Sequence, residues 1–308
     1  MRIRRLLGAL AIGLTASVVA TPSASEASSR VSSPTPGYWL VAGDGGVFSF
    51  NAPFYGSGVA VRPDQDACGT YPPSLDACVG IAAVPDGSGY WLLNTAAGAQ
   101  AFGSADPSVS LQNCTVFNKG VALDPGFFTE MAATNSGDGY WLVTGPGYVY
   151  GCGDAQPPLG GPTSVHIDDS VGIVATADGK GYWVAGSDGG VFAFGDAGFY
   201  GSMGGKKLNA PVVGIAPTAD GKGYWLVAAD GGVFSFGDAA FFGSMGGKHL
   251  NAQVVGIAAT PDGRGYWMAA ADGGVFSFGS APFDGSMGGK PLAQSVTGIA
   301  TYARAAPG

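Results

Sequence analysis

Short apolar segments alternate with glycine-rich turns along most of the chain, and the pattern recurs. In the last full unit, Val254 to Ala259, Tyr266 to Ala270 and Val275 to Phe278 are predicted strands, with an outer fourth strand over Phe283 to Met287. Asp272-Gly273-Gly274 is typical of a tight hairpin turn, because glycine accepts positive φ. Each unit is therefore predicted to form a small antiparallel sheet.

The tripeptide Gly-Tyr-Trp marks the same point in every unit. It occurs six times, at intervals of 52, 50, 42, 42 and 42 residues, and contains every tryptophan of the chain. The six are Trp39, Trp91, Trp141, Trp183, Trp225 and Trp267. This period is typical of a β-propeller blade and too long for a leucine-rich or ankyrin repeat. Adjacent strand residues point to opposite faces, so each Tyr-Trp pair is predicted to be buried between neighbouring sheets.

The two ends of the chain hold complementary parts of one unit. Val296 to Ala300 repeats the inner-strand motif, but its matching Trp would fall beyond Gly308. The first Gly-Tyr-Trp, at Gly37, has only Ser33 to Pro36 where that strand should be. Pairing of residues 296–301 with the first unit would leave no long edge strand unpaired. The prediction is an all-β, six-bladed β-propeller with four-stranded blades, closed by this C-terminal strand.

The N-terminal residues have the composition of an export signal. Three of the first five residues are Arg, an apolar stretch follows as far as Ala20, and small residues suited to cleavage come next. We expect a signal peptide over residues 1–27, a Ser/Pro linker over residues 28–36 and a single propeller over residues 37–308. No later apolar run is long enough to suggest a membrane span. The protein is expected to be secreted or associated with the cell wall.

Charge limits the partners that the chain can have. The formal net charge is -8, and removal of residues 1–27 with their three Arg and one Glu would bring it to -10. Neutralisation of phosphates is the main source of affinity for nucleic acid, so no nucleic-acid partner is expected. Nothing in the sequence indicates a cofactor.

The cysteines are even in number, which in an exported chain favours disulfides over free thiols. They are Cys68, Cys78, Cys114 and Cys152. Three pairings are possible. Cys68 and Cys78 flank the residues that lengthen the first interval, which favours a local bridge between them and leaves Cys114 with Cys152. The spacings match no zinc pattern, so no metal site is expected.

Several motifs resemble those of known repeat proteins. Gly223 to Trp225, Asp230 to Phe234 and Phe242 to Ser244 resemble propeller repeats of exported actinobacterial proteins, which often stand beside cell-wall hydrolase modules. The order of elements is also similar to that of tectonin and tachylectin-type lectin propellers. The resemblance covers nearly all of the mature chain and implies a propeller. The similarity to the lectin propellers in particular implies carbohydrate binding. Phe199, Phe241 and Phe283 stand near the place of that family's usual outer-strand Trp.

One face of the predicted propeller carries charged residues at repeating positions. The acids precede the Gly-Gly turns, and each base follows its Trp by 23 residues. They are Asp44, Asp188, Asp230 and Asp272, with Arg62, Lys206, Lys248 and Lys290. Alternating acids and bases suit a hydroxyl-rich polymer, which needs many directional hydrogen bonds. The alternative is ordinary turn chemistry beside solvated lysines.

A degenerate stretch, from the third unit to the start of the fourth, holds candidate catalytic residues. Glu130 replaces the inner-strand glycine of the other units, so its carboxylate is predicted to face a central channel, and His166, Asp168 and Asp169 enter the next inner strand. An acid pair with a histidine suits general acid/base work on a glycoside or ester. The alternative is a structural glutamate and an acidic loop, and no nucleophile elbow, metalloprotease helix or phosphate loop accompanies these residues.

Three hypotheses on function follow. The first is an exported, non-catalytic module that binds glycans of the cell envelope or environment at several equivalent sites, because units four to six are nearly identical. The second is a hydrolase or lyase with one site at the channel mouth, built by the divergent second and third units. The third is a protein-interaction scaffold, for which a rigid fold suffices. The first is our prediction.

Overall fold

The computed structural model describes residues 35–60, 77–95, 98–111, 114–116, 128–155, 167 and 169–303. All of them belong to one compact unit, residues 34–308. The expected signal peptide and nearly all of the expected linker lie outside the described residues. Those two boundaries therefore stay predictions.

The described elements are strands, apart from one short 3₁₀ helix at Gly58–Ala60. In chain order the strands are β1 (Gly37–Ala42), β2 (Val47–Phe50), β3 (Cys78–Ala83), β4 (Gly89–Asn94), β5 (Gly98–Gly103), β6 (Thr115–Val116), β7 (Phe128–Ala133), β8 (Gly139–Thr144), β9 (Val149–Gly153), β10 (Ser170–Ala175), β11 (Gly181–Gly186), β12 (Val191–Gly195), β13 (Val212–Pro217), β14 (Gly223–Ala228), β15 (Val233–Gly237), β16 (Val254–Ala259), β17 (Gly265–Ala270), β18 (Val275–Gly279) and β19 (Val296–Tyr302). The three inner strands predicted for the last unit agree with β16, β17 and β18 to within one residue.

The strands form six antiparallel sheets, five of three strands and one of four. Their orders are β19-β1-β2, β3-β4-β5, β6-β9-β8-β7, β10-β11-β12, β13-β14-β15 and β16-β17-β18. Five sheets use strands consecutive in the chain. The first instead takes its inner strand from the C-terminal part, where β19 pairs with β1 from Tyr302 opposite Gly37 to Val296 opposite Ala42. The all-β, repeated architecture is confirmed.

The outer fourth strand predicted over Phe283 to Met287 is wrong, because this segment is not a strand. One of its carbonyl groups, that of Gly285, bonds a side chain instead. The Tyr38 hydroxyl of the first sheet donates to the Gly285 carbonyl over 2.6 Å, and Gly285 has a φ of 130° that breaks an extended conformation. Among the described residues only the third sheet has a fourth strand, the two-residue β6. The described segment after β18 therefore links the sixth sheet to the first rather than extending the sixth.

The core lies between successive sheets and is built on the Tyr-Trp pairs. Every Trp is at most 2% exposed. Trp183 packs with Tyr224 of the next sheet, with ring centroids 5.8 Å apart, and the same contact joins Trp225 to Tyr266 at 5.6 Å. At the ends of the chain, Trp267 of the sixth sheet lies 5.2 Å from Tyr38 of the first. The prediction that these pairs are buried between sheets is confirmed.

A main-chain hydrogen bond also joins each sheet to the one that follows. The amide at the start of each inner strand donates to a carbonyl beyond the second strand of the preceding sheet, over 2.8 to 3.3 Å. The donors and acceptors are Cys78 and Gly43, Phe128 and Thr95, Ser170 and Gly145, Val212 and Ser187, Val254 and Ala229, and Val296 and Ala271. These six bonds fix the height of each sheet against its neighbour, so equivalent loops lie at the same end of every sheet.

The predicted pairing of Cys114 with Cys152 is confirmed. It ties the segment that leads into β6 to β9, the strand with which β6 pairs. Cys78 is also disulfide-bonded. Its expected partner, Cys68, lies outside the described residues.

Candidate functional site

The Asp-Gly-Gly turns between second and third strands share one geometry. In each, the Asp Oδ1 accepts a hydrogen bond from the amide two residues later, over 2.7 to 3.0 Å. The four acids are Asp44, Asp188, Asp230 and Asp272. One carboxylate oxygen thus holds the turn, as the alternative from turn chemistry expected, and the other oxygen is not used by that bond.

A second loop packs against the turns of Asp188, Asp230 and Asp272 and positions a lysine. In the fifth unit the Met245 amide donates to the Gly231 carbonyl over 2.9 Å, and the Lys248 amide donates to the Met245 carbonyl over 2.9 Å. Gly231 has a φ of 77°, and a Cβ there would lie 2.6 Å from that of Met245. Glycine is therefore required for the close approach. Lys290 is held by the same two bonds in the sixth unit.

Two equivalent pockets lie where these loops meet. The first has a volume of about 480 Å³ and is lined by Asp230, Lys248 and Asn209, among others. The second has a volume of about 490 Å³ and is lined by Asp272, Lys290 and Asn251. Each lining residue of the second stands 42 positions after its counterpart in the first. We call them the rim pockets.

The rim pockets present donors and acceptors side by side. Lys248 and Lys290 are exposed, and Asp230 and Asp272 are half-buried. The ion pairs among the described residues involve other side chains, so neither Lys248 nor Lys290 has a carboxylate partner in that part of the chain. A ligand with many hydroxyl groups could accept from the ammonium and donate to the free carboxylate oxygen.

At the opposite end of the sheets, charges neutralise each other. Lys180 pairs with Asp178 over 3.1 Å, and Lys222 pairs with Asp220 over 3.1 Å. Hydrogen bonds from the Lys180 amide and side chain lower the pKa of Asp178 to about 2. These exposed pairs satisfy their own turns, so the two ends of the sheets differ chemically although both carry Asp and Lys.

Glu130 lines a central cavity of about 370 Å³, which is bounded by the inner strands of all six sheets. Its Oε1 accepts a hydrogen bond from the Met131 amide over 2.9 Å. Burial raises the pKa of Glu130 to about 8, with that hydrogen bond acting in the opposite direction. Asp169 is not part of this lining; it lies in the turn before β10, and its carbonyl accepts from the Ser187 amide over 2.9 Å.

Some residues singled out from the sequence fall on parts of the chain that the structure does not describe. They are Arg62, Cys68, His166 and Asp168. The predicted acid pair with a histidine therefore stays a prediction. Among the described residues, no group of three or more His, Cys, Asp or Glu is placed to hold a metal ion.

Sequence reasoning missed the asparagines of the rim pockets. Asn209 and Asn251 each come from the unit before the one that supplies the Asp and Lys. The signal was present, since Leu208-Asn209-Ala210 recurs as Leu250-Asn251-Ala252 at the same 42-residue spacing. This recurrence indicates a surface loop, but it does not indicate that the Asn lines a pocket of the neighbouring unit.

No protein-family model matches the sequence, and neither does any curated protein sequence. By structure the chain is similar to one from the crystal structure of a nidogen/laminin complex, with a TM-score of 0.55 and 8% identity. The match covers 87% of this chain and 99% of the other. In all, 710 chains of solved structures match, so the likeness identifies a widespread β-propeller-like fold and no particular activity.

No helix among the described residues has the length and apolar character needed to cross a membrane.

Proposed function

We propose that the six sheets are the blades of a closed six-bladed β-propeller. The pairing of β19 with β1 supports closure, because it joins the two ends of the chain within one sheet. The six hydrogen bonds between successive sheets support it as well, since the bond from Val296 to Ala271 links the last unit to the first sheet. Closure would protect the short edges that open sheets expose.

We further propose that the protein is a non-catalytic module that binds hydroxyl-rich polymers, in the first place glycans of the cell envelope or environment. The observation that carries this proposal is the equivalence of the two rim pockets, each with Asp, Lys and Asn at matched positions. Repeated weak sites on one rigid body bind a repeating polymer with a combined affinity far above that of one site.

The chemistry of the rim pockets suits sugars better than anions. Each pocket pairs one cation with one carboxylate, so a ligand with net negative charge gains little, and the net charge of -8 opposes it. Neutral glycans instead offer donors for Asp and acceptors for Lys and Asn. The export expected from residues 1–27 and the Cys114–Cys152 disulfide support a place outside the cytoplasm.

The experiment measures binding to a glycan array and to insoluble peptidoglycan and chitin. Lys248→Ala combined with Lys290→Ala should weaken binding more than tenfold, because both pockets lose their donor, whereas either change alone should have a smaller effect. The matched control is Lys180→Ala combined with Lys222→Ala, which removes the same charge from the opposite end and should change binding less than twofold. Equal loss in both double variants, or no glycan bound by the wild type, would overturn the proposal.

Protein interaction is a second candidate, favoured by exposed aromatic side chains. Phe54, Phe199, Phe241 and Phe283 stand at equivalent points of four units, each 60 to 62% exposed. Repeated exposed phenylalanines suit contact with another macromolecule. The similar solved structure is itself a complex of two proteins, nidogen and laminin. Replacing all four with Ser would abolish capture of a protein partner and leave glycan binding unchanged.

The hydrolase or lyase alternative stays a prediction. It requires His166 and Asp168 to meet Glu130 near the cavity, and the first two lie outside the described residues. Loss of a measured turnover on replacing Glu130, His166 and Asp168 together would support it.

A further inference from the structure

The central cavity is a chemically distinct space that the rim pockets do not reach. Strands β3, β7, β10, β13, β16 and β19 surround it, and each is the first strand of its sheet in the inner-to-outer order. At one level the lining consists of Ile81, Met131, Ile173, Ile215, Ile257 and Ile299, and alanines dominate the next level. The walls are thus aliphatic, which suits an apolar guest.

Glu130 is the one ionisable side chain among the described lining residues. It stands where the other five inner strands have glycine, directly after an irregularity in the pairing of β7 with β8. Its carboxylate lies across the Cα of Gly80 on the adjacent inner strand, since a Cβ at Gly80 would be 2.5 Å from Oε1. The missing side chain at Gly80 therefore leaves room for a single acidic group inside an apolar space.

Among the described residues this acid has no counter-charge. Its one hydrogen bond there comes from the Met131 amide, over 2.9 Å, and no Lys, Arg or His is among the described residues that line the cavity. Burial without a cation raises the pKa of Glu130 to about 8. The side chain still keeps accessible surface, so a small molecule in the cavity can reach it.

A bare metal ion fits this space poorly, whereas an organic cation fits it well. The described lining supplies a single negative charge, which does not balance a divalent ion such as Ca²⁺ in an otherwise aliphatic space but does balance a monovalent ammonium group. A protonated amine needs one charged acceptor and few further hydrogen bonds. Each inner strand is paired on one side only within the described sheets, so carbonyl groups of its other edge can accept the remaining N–H bonds. The net charge of -8 also attracts a cation.

We propose that the central cavity binds one small organic ammonium ion, with its ammonium group on the Glu130 carboxylate and its apolar body against the ring of isoleucines. This site is independent of the rim pockets and of the glycan-binding proposal.

The test uses benzylammonium as the probe and benzyl alcohol as its neutral counterpart. Isothermal titration of the full chain at pH 7 should give one benzylammonium site. Glu130→Gln, which keeps the shape of the side chain, should weaken that site at least tenfold and change the binding of benzyl alcohol less than twofold. Asp284→Asn, which removes an exposed carboxylate elsewhere, should leave benzylammonium binding unchanged within twofold.

Proton release provides a readout that needs no variant. With a pKa of about 8, roughly nine-tenths of the Glu130 carboxyls carry a proton at pH 7. Benzylammonium binding should therefore release close to one proton, measured by comparing titrations in buffers of different ionisation enthalpy. No binding up to 10 mM, or equal affinity in wild type and Glu130→Gln, would overturn the proposal. If Glu130→Gln does not fold, Glu130→Gly, which restores the glycine of the other five inner strands, takes its place in the same comparison.

Discussion

The tyrosine hydroxyls between sheets should contribute different amounts to the stability of the fold from one unit to another. The Tyr224 hydroxyl donates to the Gly201 carbonyl over 2.6 Å and accepts from the Tyr200 amide over 3.2 Å. Tyr182 occupies the same position of Gly-Tyr-Trp and is equally buried, yet its hydroxyl has no hydrogen-bond partner among the described residues. Changing each to Phe therefore removes the same oxygen from two different environments.

The expected magnitudes follow from the groups left behind. Tyr224→Phe leaves a half-buried carbonyl and a half-buried amide unpaired, at about 1 kcal/mol each, so the free energy of unfolding should fall by about 2 kcal/mol. Tyr182→Phe removes a buried hydroxyl that pays a desolvation penalty without a bond, so stability should stay unchanged or rise by about 1 kcal/mol. In both variants the ring keeps its contact with a phenylalanine of the same sheet. The centroids lie 5.6 Å apart for Tyr224 and Phe236, and 5.1 Å apart for Tyr182 and Phe194.

The assay is urea unfolding of both variants and the wild type, followed by Trp fluorescence, with thermal midpoints as a second measure. For a domain of this size a loss of 2 kcal/mol lowers the thermal midpoint by about 4 to 8 °C. Equal shifts for the two variants would refute the reasoning, because they would mean that ring packing and not the hydrogen bonds sets the cost. A Tyr224→Phe variant within 0.5 kcal/mol of wild type would refute it as well.

Three further predictions concern the cavity and the disulfide. Because the pKa of Glu130 is raised from 4.5 to about 8, the folded state holds a proton that the unfolded state loses between these pH values. The free energy of unfolding should therefore fall as pH rises from 4.5 to 8, by up to about 1.4 kcal/mol per pH unit from this group. The urea midpoints of Glu130→Gln should lack this pH dependence. Gly80→Ala should cost less than about 1 kcal/mol, because the crowded atom is the end of the Glu130 side chain, which can rotate away, and a double-mutant cycle with Glu130→Gly should remove that cost; a loss above about 2 kcal/mol, or purely additive values, would contradict this contact. Replacing Cys114 and Cys152 with Ser opens a link across 38 residues and should cost up to about 4 kcal/mol in urea unfolding, whereas an unchanged midpoint would show that the segment is held without the bond.

The regular parts of this fold could be predicted from the sequence because they depend on local rules. Alternation of apolar residues and Asp-Gly-Gly turns located β16, β17 and β18, and adjacent Tyr and Trp located the contacts between sheets. The outer strand could not be predicted in this way. Phe283 to Met287 has an apolar start typical of a strand, but its Gly285 carbonyl accepts a hydrogen bond from Tyr38, and the Pro282 carbonyl just before it accepts one from Trp267. Both donors lie in strands outside this segment, and Tyr38 is far from it in sequence.

The candidate sites show the same division. The Asp and Lys of the rim pockets follow the 42-residue period and were predicted together, but Asn209 enters a pocket of the next unit, and a period within one unit cannot indicate that. Glu130 stood out because it replaces a glycine at a repeating position. The effect of that replacement depends on the closeness of Gly80 on another strand, which only the packing of the sheets reveals.

The pairing of β19 with β1 has a consequence for the folding of the chain. The Thr297 hydroxyl bonds the Val41 carbonyl across 256 residues. Loop-closure entropy grows only with the logarithm of length, so bringing these ends together costs only about 1.6 kcal/mol more than joining residues 42 apart. The delay is larger, since the first sheet lacks its inner strand until residues 296–302 have been synthesised and, if the protein is exported, translocated. Until then the apolar faces of Tyr38 and Leu40 have no permanent cover, which makes the interval before completion the period of greatest exposure to proteases and to aggregation.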